Sequence, residues 1–419
     1  MQYHKIILPL CIIIGVTACN NSNSNNNSTA IHTDSAAMPN EKLLPPVETQ
    51  KPNSNYTPAF EGQTRIPAVK TVTAYQVDKI AGKIGEPWAI IPYSNDRFLI
   101  TDKSGFMQII SADGAVLKKI TGFPEVDNRA QGGLLDVALD PDFTQNKTIY
   151  WAFSEKQKND GNLTAIAKGI INEVEDKIEK VSVIFRVLPA LNSTLHYGSR
   201  LVFDKEGYLY FSAGERSILE GRKQAQYLKS GLGKIFKITK EGKPAPGNPF
   251  ANNSSAMASI YTYGHRNPQS LDINPATGEL WEAEFGPRGG DELNLITAGK
   301  NYGWPVITYG IEYYGAIIGD AIQQKEGMEQ PVYYWDPVIS PSGMTFYPGN
   351  EIPEWENNLF IGGLSSQQIT RLQLQNHKVT GEERLLTNLN ERFRDIAFFK
   401  GMLYTITDNG NVYRIKKKS

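Results

Sequence analysis

Cysteine is nearly absent: the 419-residue chain has two, Cys11 and Cys19. Both lie at the N-terminus, so no disulfide staples the remainder. The fold must rest on its own core, for which the length is ample. An excess of one charge is also missing. Lysine and arginine total 43 and aspartate and glutamate 44, a formal net charge of −1. No basic stripe stands out, which argues against nucleic acid as a partner. Past the N-terminus no apolar run reaches the length of a membrane-spanning helix. Histidine is scarce, with five in the chain, so few imidazoles can serve as a neutral-pH base. The terminal Lys416-Lys417-Lys418 run reads as a solvated tail.

What is present at the N-terminus is a short charged start and an apolar run from Ile6 to Val16. That is the size of a signal-peptide core and too short for a permanent span. The run ends in Gly15-Val16-Thr17-Ala18-Cys19. Small residues directly before a cysteine resemble the lipobox of bacterial lipoproteins, in which the cysteine is lipidated and becomes the new N-terminus. Residues 1–18 are thus expected to be a signal peptide and Cys19 a lipid anchor, the only membrane contact. Asn20 in place of aspartate points to the outer membrane of a Gram-negative cell, facing the periplasm. Residues 19–65 are rich in Asn, Ser, Thr and Pro. They offer too little apolar surface to offset ordering entropy and read as a disordered tether. Residues 66–419 are expected to form the folded domain.

There, short runs of Val, Ile, Leu, Phe, Tyr and Trp alternate with Gly, Asn, Asp and Pro, the texture of many strands joined by turns. One phrase recurs: a turn, then a strand with an aromatic or large aliphatic centre. It occurs at Asn95–Ile100, Lys147–Trp151, Glu206–Phe211, Thr277–Trp281, Asn357–Ile361 and Lys400–Tyr404. A propeller blade takes about 40 to 50 residues, and longer intervals imply loop insertions. The reading is all-β, a six-bladed β-propeller, with seven blades or a two-sheet sandwich as alternatives. Loops from every blade of a propeller surround one axial mouth, so residues distant in sequence can converge there.

Chemistry is densest from Gly264 to Pro305. Gly264-His265-Arg266-Asn267-Pro268-Gln269 comes first. Glu284-Phe285-Gly286-Pro287-Arg288-Gly289-Gly290-Asp291-Glu292 follows, then Asn301-Tyr302-Gly303-Trp304-Pro305. The Gly-Pro and Gly-Gly turns could present carbonyls to an ion, and calcium is satisfied by carbonyls, carboxylates and water.

This stretch resembles the signature of the soluble glucose/sorbosone dehydrogenases that depend on pyrroloquinoline quinone (PQQ), in their aldose sugar dehydrogenase branch. Three further segments agree in order: Gln131–Ala138 through Phe143, His196–Val202, and Glu391–Asp395. The resemblance implies a six-bladed propeller that oxidises aldoses to aldonolactones with PQQ and Ca2+. It implies that His196 is the catalytic base, with Gln131 beside it. Arg266 and Asn267 match residues at the quinone oxygens, where a cation and an amide would stabilise developing charge. Arg392 and Arg394 match arginines that pair with the cofactor's carboxylates. Gly286 and Pro287 match the carbonyls that hold the cofactor's calcium. A second calcium is expected with Asp291 and Glu292 as its anchors and the carbonyl of Tyr302 as a further ligand. Trp335 reads equally as sugar-site wall or core. His265 is the rival base. Electrons would pass to a quinone or cytochrome acceptor, and the protein would be a monomer or homodimer.

Three positions depart from the family's pattern. Leu195 stands where glucose-oxidising members have an acid before the base. Ser365 stands near the place of a lysine that meets a cofactor carboxylate. Phe285 replaces a histidine common in aldose-oxidising relatives. Two other classes remain in view: a calcium-dependent lactonase, and a non-catalytic propeller that binds glycans or a protein.

Overall fold

The structure, a computed structural model, describes residues 43–94 and 96–419. Cys19, the expected signal peptide and the first part of the expected tether lie outside those residues. Among the described residues no helix is long and apolar enough to cross a membrane.

Six antiparallel sheets form the blades of a ring. Blade 1 runs from strand Pro87–Ser94 to Val116–Ile120, and blade 2 from Leu134–Leu139 to Lys177–Arg186. Blade 3 runs from Leu201–Phe203 to Ile260–Tyr263, and blade 4 from Pro268–Ile273 to Tyr333–Trp335. Blade 5 runs from Pro341–Phe346 to Lys378–Leu385. Blade 6 takes three strands from the C-terminus, Phe393–Phe399, Met402–Thr407 and Val412–Lys417. Its fourth is Tyr75–Ala81, paired with the last strand from Val412↔Ala81 to Lys417↔Tyr75. The first strand of each blade is innermost. These strands neighbour one another in sequence order, and that of blade 6 meets that of blade 1. The sandwich and seven-blade alternatives are thereby excluded.

The recurring phrase has a fixed place in this architecture. Each copy spans the turn into the second strand of its blade, and the strand's aromatic is buried in the core. Phe98, Trp151, Phe211, Trp281, Phe360 and Tyr404 are all at most 1% exposed. Large flat side chains fill the wedge between twisted sheets, which is why an aromatic recurs there.

Carboxylates stitch blades together near the axis. Asp136 Oδ2 accepts from Leu201 N at 2.8 Å, Asp272 Oδ2 from Phe346 N at 3.4 Å and Asp395 Oδ2 from Ile90 N at 2.8 Å. Blade 2 is thus tied to 3, 4 to 5 and 6 to 1. Arg200 Nη1 lies between Asp136 Oδ1 (3.3 Å) and Asp395 Oδ1 (3.1 Å). Burial pushes the Asp136 carboxyl up to about 6 and that of Asp272 up to about 7.

The tether expectation is corrected for residues 43–65. Strand Leu44–Pro46 pairs with Pro67–Ala68, which joins the outer edge of blade 5 at Ala68↔Glu382. Gln63 is fully buried and donates to Pro331 O at 2.9 Å. Arg65 reaches Asp336 O at 2.7 Å. The segment orders because its polar groups find fixed partners on the ring, a gain that local composition does not display.

Candidate active site

An antiparallel blade puts the start of its first strand and the end of its second at the same end of the ring. The site is assembled from those two sets of positions. Gln131, His196, Arg266 and Asn267 precede first strands, and Arg392 and Arg394 lie at the start of another. Glu215, Phe285, Lys103 and Asp408 follow second strands.

His196 is 4% exposed, and its Nδ1 lies 2.8 Å from Glu215 Oε1. A carboxylate accepts, so Nδ1 carries the proton and the Nε2 lone pair is left free. Glu215 is itself fixed, its Oε2 accepting from Ser217 N at 2.9 Å. Burial, reinforced by the Arg266 charge and opposed by Glu215, lowers the His196 pKa to about 4. The imidazole is therefore neutral at ordinary pH, the form a base requires. Gln131 Oε1 accepts from His196 N at 2.8 Å and holds the backbone. That backbone is left-handed, with φ 50° at His196 and 73° at Arg216, a conformation that non-glycine residues keep only under outside constraint. Gly214 is needed beneath it. A Cβ there would collide with His196 O and lie 2.8 Å from Asn267 Oδ1.

Blade 4 supplies a second group. Asn267 Oδ1 accepts from Gly198 N at 3.1 Å, while its Nδ2 is buried with no partner among the described residues. Arg266 Nε is buried and unpaired in the same way. Such donors cost on the order of 1–3 kcal/mol each unless a ligand oxygen meets them. The Arg266 guanidinium lies over Trp304 at 5.3 Å and donates to the carbonyls of Phe285 (2.9 Å) and Gly286 (2.6 Å). One lone pair of Gly286 O remains, and Pro287 O accepts no hydrogen bond among the described residues. His265, the rival base, is fully buried between Thr262 Oγ1 (2.9 Å) and Glu284 Oε1 (3.2 Å). Glu284 Oε2 takes the Asn267 amide at 3.2 Å, so His265 supports the Arg-Asn pair from behind.

A cavity of about 340 Å³ opens beside these residues, lined in part by Trp88, Lys103, Gln131, Phe285, Arg392 and Arg394. Both arginines grip one carboxylate: Arg392 Nε to Asp408 Oδ2 and Arg394 Nε to Asp408 Oδ1, each at 2.8 Å. Burial alone would raise the Asp408 carboxyl, but the two guanidiniums outweigh it and hold it low. Lys103 supplies a third cation, donating to Ala130 O at 2.7 Å. It stands in the same cavity wall, whereas Ser365 turns to Ser340 Oγ at 2.8 Å. The wall therefore keeps three cations despite Ser365.

The remaining expectations divide. Trp335 is 3% exposed within a core cluster, so the core reading holds. Leu195 is 37% exposed and leaves the His196 imidazole oriented by Glu215 instead. Asp291 is spent on backbone, accepting from Gly286 N (2.7 Å), Ile339 N (2.8 Å) and Ser340 N (2.7 Å). Glu292 Oε2 lies 3.4 Å from Asn294 Nδ2, and Tyr302 stacks on His265 at 4.7 Å. Besides Lys103, two acids of the site escaped the sequence reading, Glu215 and Asp408. Each is an acid just past an apolar second strand, in Gly214-Glu215-Arg216 and Asp408-Asn409-Gly410, and that position was the available signal.

Fold and site together define a six-bladed β-propeller with a buried His196–Glu215 pair beside a cleft lined by Lys103, Arg392 and Arg394. The family model for glucose / sorbosone dehydrogenase matches residues 84–414. Aldose sugar dehydrogenase YliI of Escherichia coli (strain K12) is 39% identical over 339 residues, covering 80% of this chain and 90% of that protein. Quinoprotein glucose dehydrogenase B of Acinetobacter calcoaceticus is 26% identical, covering 80% and 86%. Among solved structures, the apo form of the soluble aldose sugar dehydrogenase of Escherichia coli matches with a TM-score of 0.78 at 37% identity, covering 82% of this chain and all of that one. The PQQ-bound aldose sugar dehydrogenase of Streptomyces coelicolor matches with a TM-score of 0.69 at 25% identity, covering 83% and 99%. The chain belongs to the glucose/sorbosone dehydrogenase family. It is an oxidoreductase.

Proposed function

We propose that the chain oxidises aldoses to aldonolactones with PQQ and calcium, His196 acting as general base. The observation that carries this is the neutral His196–Glu215 pair beside two buried, unpaired donors, Asn267 Nδ2 and Arg266 Nε. When bound, PQQ with its calcium would supply a two-electron acceptor for the hydride of the anomeric C–H bond. His196 Nε2 takes the anomeric hydroxyl proton as that C–H bond breaks and C=O forms. Asn267 and Arg266 offer donors to the acceptor's oxygens, where charge develops. Arg392, Arg394 and Lys103 suit a polycarboxylate, and Gly286 and Pro287 offer carbonyl oxygens to a hard cation. Phe285 narrows the cavity with an apolar wall. The same reading places the protein outside the cytoplasm, lipidated at Cys19, with a quinone or cytochrome taking the electrons.

The test is dye reduction by the purified chain over an aldose panel, with and without added PQQ and calcium. Activity that needs both additions supports the reading. No activity, with no spectral sign of bound PQQ, sinks it and favours the glycan- or protein-binding propeller. Incorporation of labelled lipid that is lost in Cys19→Ala checks the anchor.

A further inference from the structure

The ordered strap before the ring grips the loop that carries Gly286 and Pro287. Asn53 Oδ1 accepts from Arg288 Nε at 3.0 Å. Asn53 N and Nδ2 donate to Asp336 Oδ1 at 2.9 and 2.8 Å, and Ser54 N and Oγ donate to Oδ2 at 3.0 and 3.1 Å. Asp336 is 4% exposed, so these bonds compensate a buried acid. Gly289 lies directly on that carboxylate: a Cβ there would be 2.8 Å from Asp336 Cγ, and its φ is 84°. Ser54 Oγ also lies 3.1 Å from Tyr309 O, next to the Arg288–Ile311 backbone pair, so its one proton is shared between that carbonyl and Asp336.

The Gly286–Gly290 loop is therefore held from three sides. Asp291 takes the Gly286 amide from within. Trp335 O and Ile311 O take the Gly290 and Arg288 amides, each at 2.9 Å. The strap closes the outer side through Arg288 and Asp336. Among the described residues it is the one support contributed by chain that precedes Tyr75–Ala81. A carbonyl pair binds a cation well only if its geometry is set beforehand.

We propose that residues 48–65 act as a positioning clamp for the cation-binding carbonyls, so that strap docking and binding of PQQ with calcium are coupled. This rests on the reading of Gly286 and Pro287 given above. Coupling is reciprocal, so the bound cofactor must also tighten the strap. Asn53 and Ser54 are positioning residues and touch no reacting atom.

The experiment uses the full chain and an Asn53→Ala/Ser54→Ala double variant. Arg97→Ala, which breaks the ion pair to Glu173 on blade 2, serves as control. Two quantities are read: calcium-dependent PQQ affinity from spectral titration, and amide hydrogen exchange at Gly286, Arg288 and Gly290 without cofactor. In the double variant PQQ affinity is expected to fall about tenfold and those amides to exchange about tenfold faster. Arg97→Ala should match wild type in both. Loop amides that keep wild-type rates in the double variant overturn the clamp. If wild type binds no PQQ at all, the functional reading fails, and the exchange measurement still decides the clamp.

Discussion

Glu215→Gln is the most informative single change. Glu215 bridges two groups: Oε2 accepts from the Ser217 amide, and Oε1 faces His196 Nδ1. Glutamine keeps the size but has one acceptor and one donor end. The Ser217 N–H is a fixed donor, so the amide oxygen must face it. The NH2 then faces His196 and demands a lone pair on Nδ1. That moves the imidazole proton to Nε2, the atom that must accept the substrate's proton. Restoring the productive tautomer costs a charge-assisted hydrogen bond, about 1.5–3 kcal/mol. At 1.36 kcal/mol per decade this is a loss of about 10- to 150-fold in turnover. PQQ affinity should stay near wild type, because Glu215 lies behind the base. The assay is steady-state dye reduction with saturating PQQ and calcium, with a spectral titration alongside. Turnover within threefold of wild type would refute the tautomer argument.

Other outcomes follow from the same geometry. Arg394→Ala should weaken PQQ binding by about tenfold or more with a smaller effect on turnover at saturation, and Lys103→Ala should do the same to a lesser degree, both read by titration. Unchanged affinity in both would remove the cationic wall from cofactor binding. Turnover should stay flat down to about pH 5 and fall as His196 protonates near 4, rather than fall near 6.5; a midpoint near 6.5 would contradict the buried-base description. For stability, the Asp272 pKa is raised on folding, so the folded chain holds the proton more tightly than the unfolded chain. Its contribution is complete below about pH 4 and is lost as pH rises through about 7. Asp272→Asn should therefore gain Tm relative to wild type between pH 5 and 8, and a gap that does not grow with pH would count against this. Gly214→Ala should lose most turnover while the ring still melts cooperatively, because the collision is with His196 O and not with the core.

The ring was legible because each blade repeats one local event, a turn into a strand whose aromatic must be buried. Phe98 through Tyr404 mark those strands without reference to the rest of the chain. The site was legible only through likeness of ordered motifs. Nothing local distinguishes Gln131 or Arg392 from surface polar residues until their neighbours across the ring are known. Glu215 stayed hidden because its role depends on His196 in a separate loop, fixed by Ser217 and the Gly214 backbone. Residues 43–65 misled for a physical reason. Their Asn, Ser and Pro content describes a chain with no partners, yet Asn53, Ser54 and Gln63 find theirs on blade 4. Lys103 joins the cavity wall from blade 1, a neighbour that the sequence around Ser365 does not display.

The pairing of Tyr75 with Lys417 has a consequence for biosynthesis. A ribosome releases the chain N-terminus first, so Tyr75–Ala81 must wait as an unpaired edge until Val412–Lys417 has been made. Ring closure is the final event, and a contact spanning roughly 340 residues is slow to form. A chain lacking Val412–Lys417 would hold five complete blades and an open sixth. Quality control would then meet two raw edges on one molecule, one at each side of the gap. The strand Val412–Lys417 thus works as a latch: until it pairs with Tyr75–Ala81, the molecule carries raw inner edges that the closed ring hides.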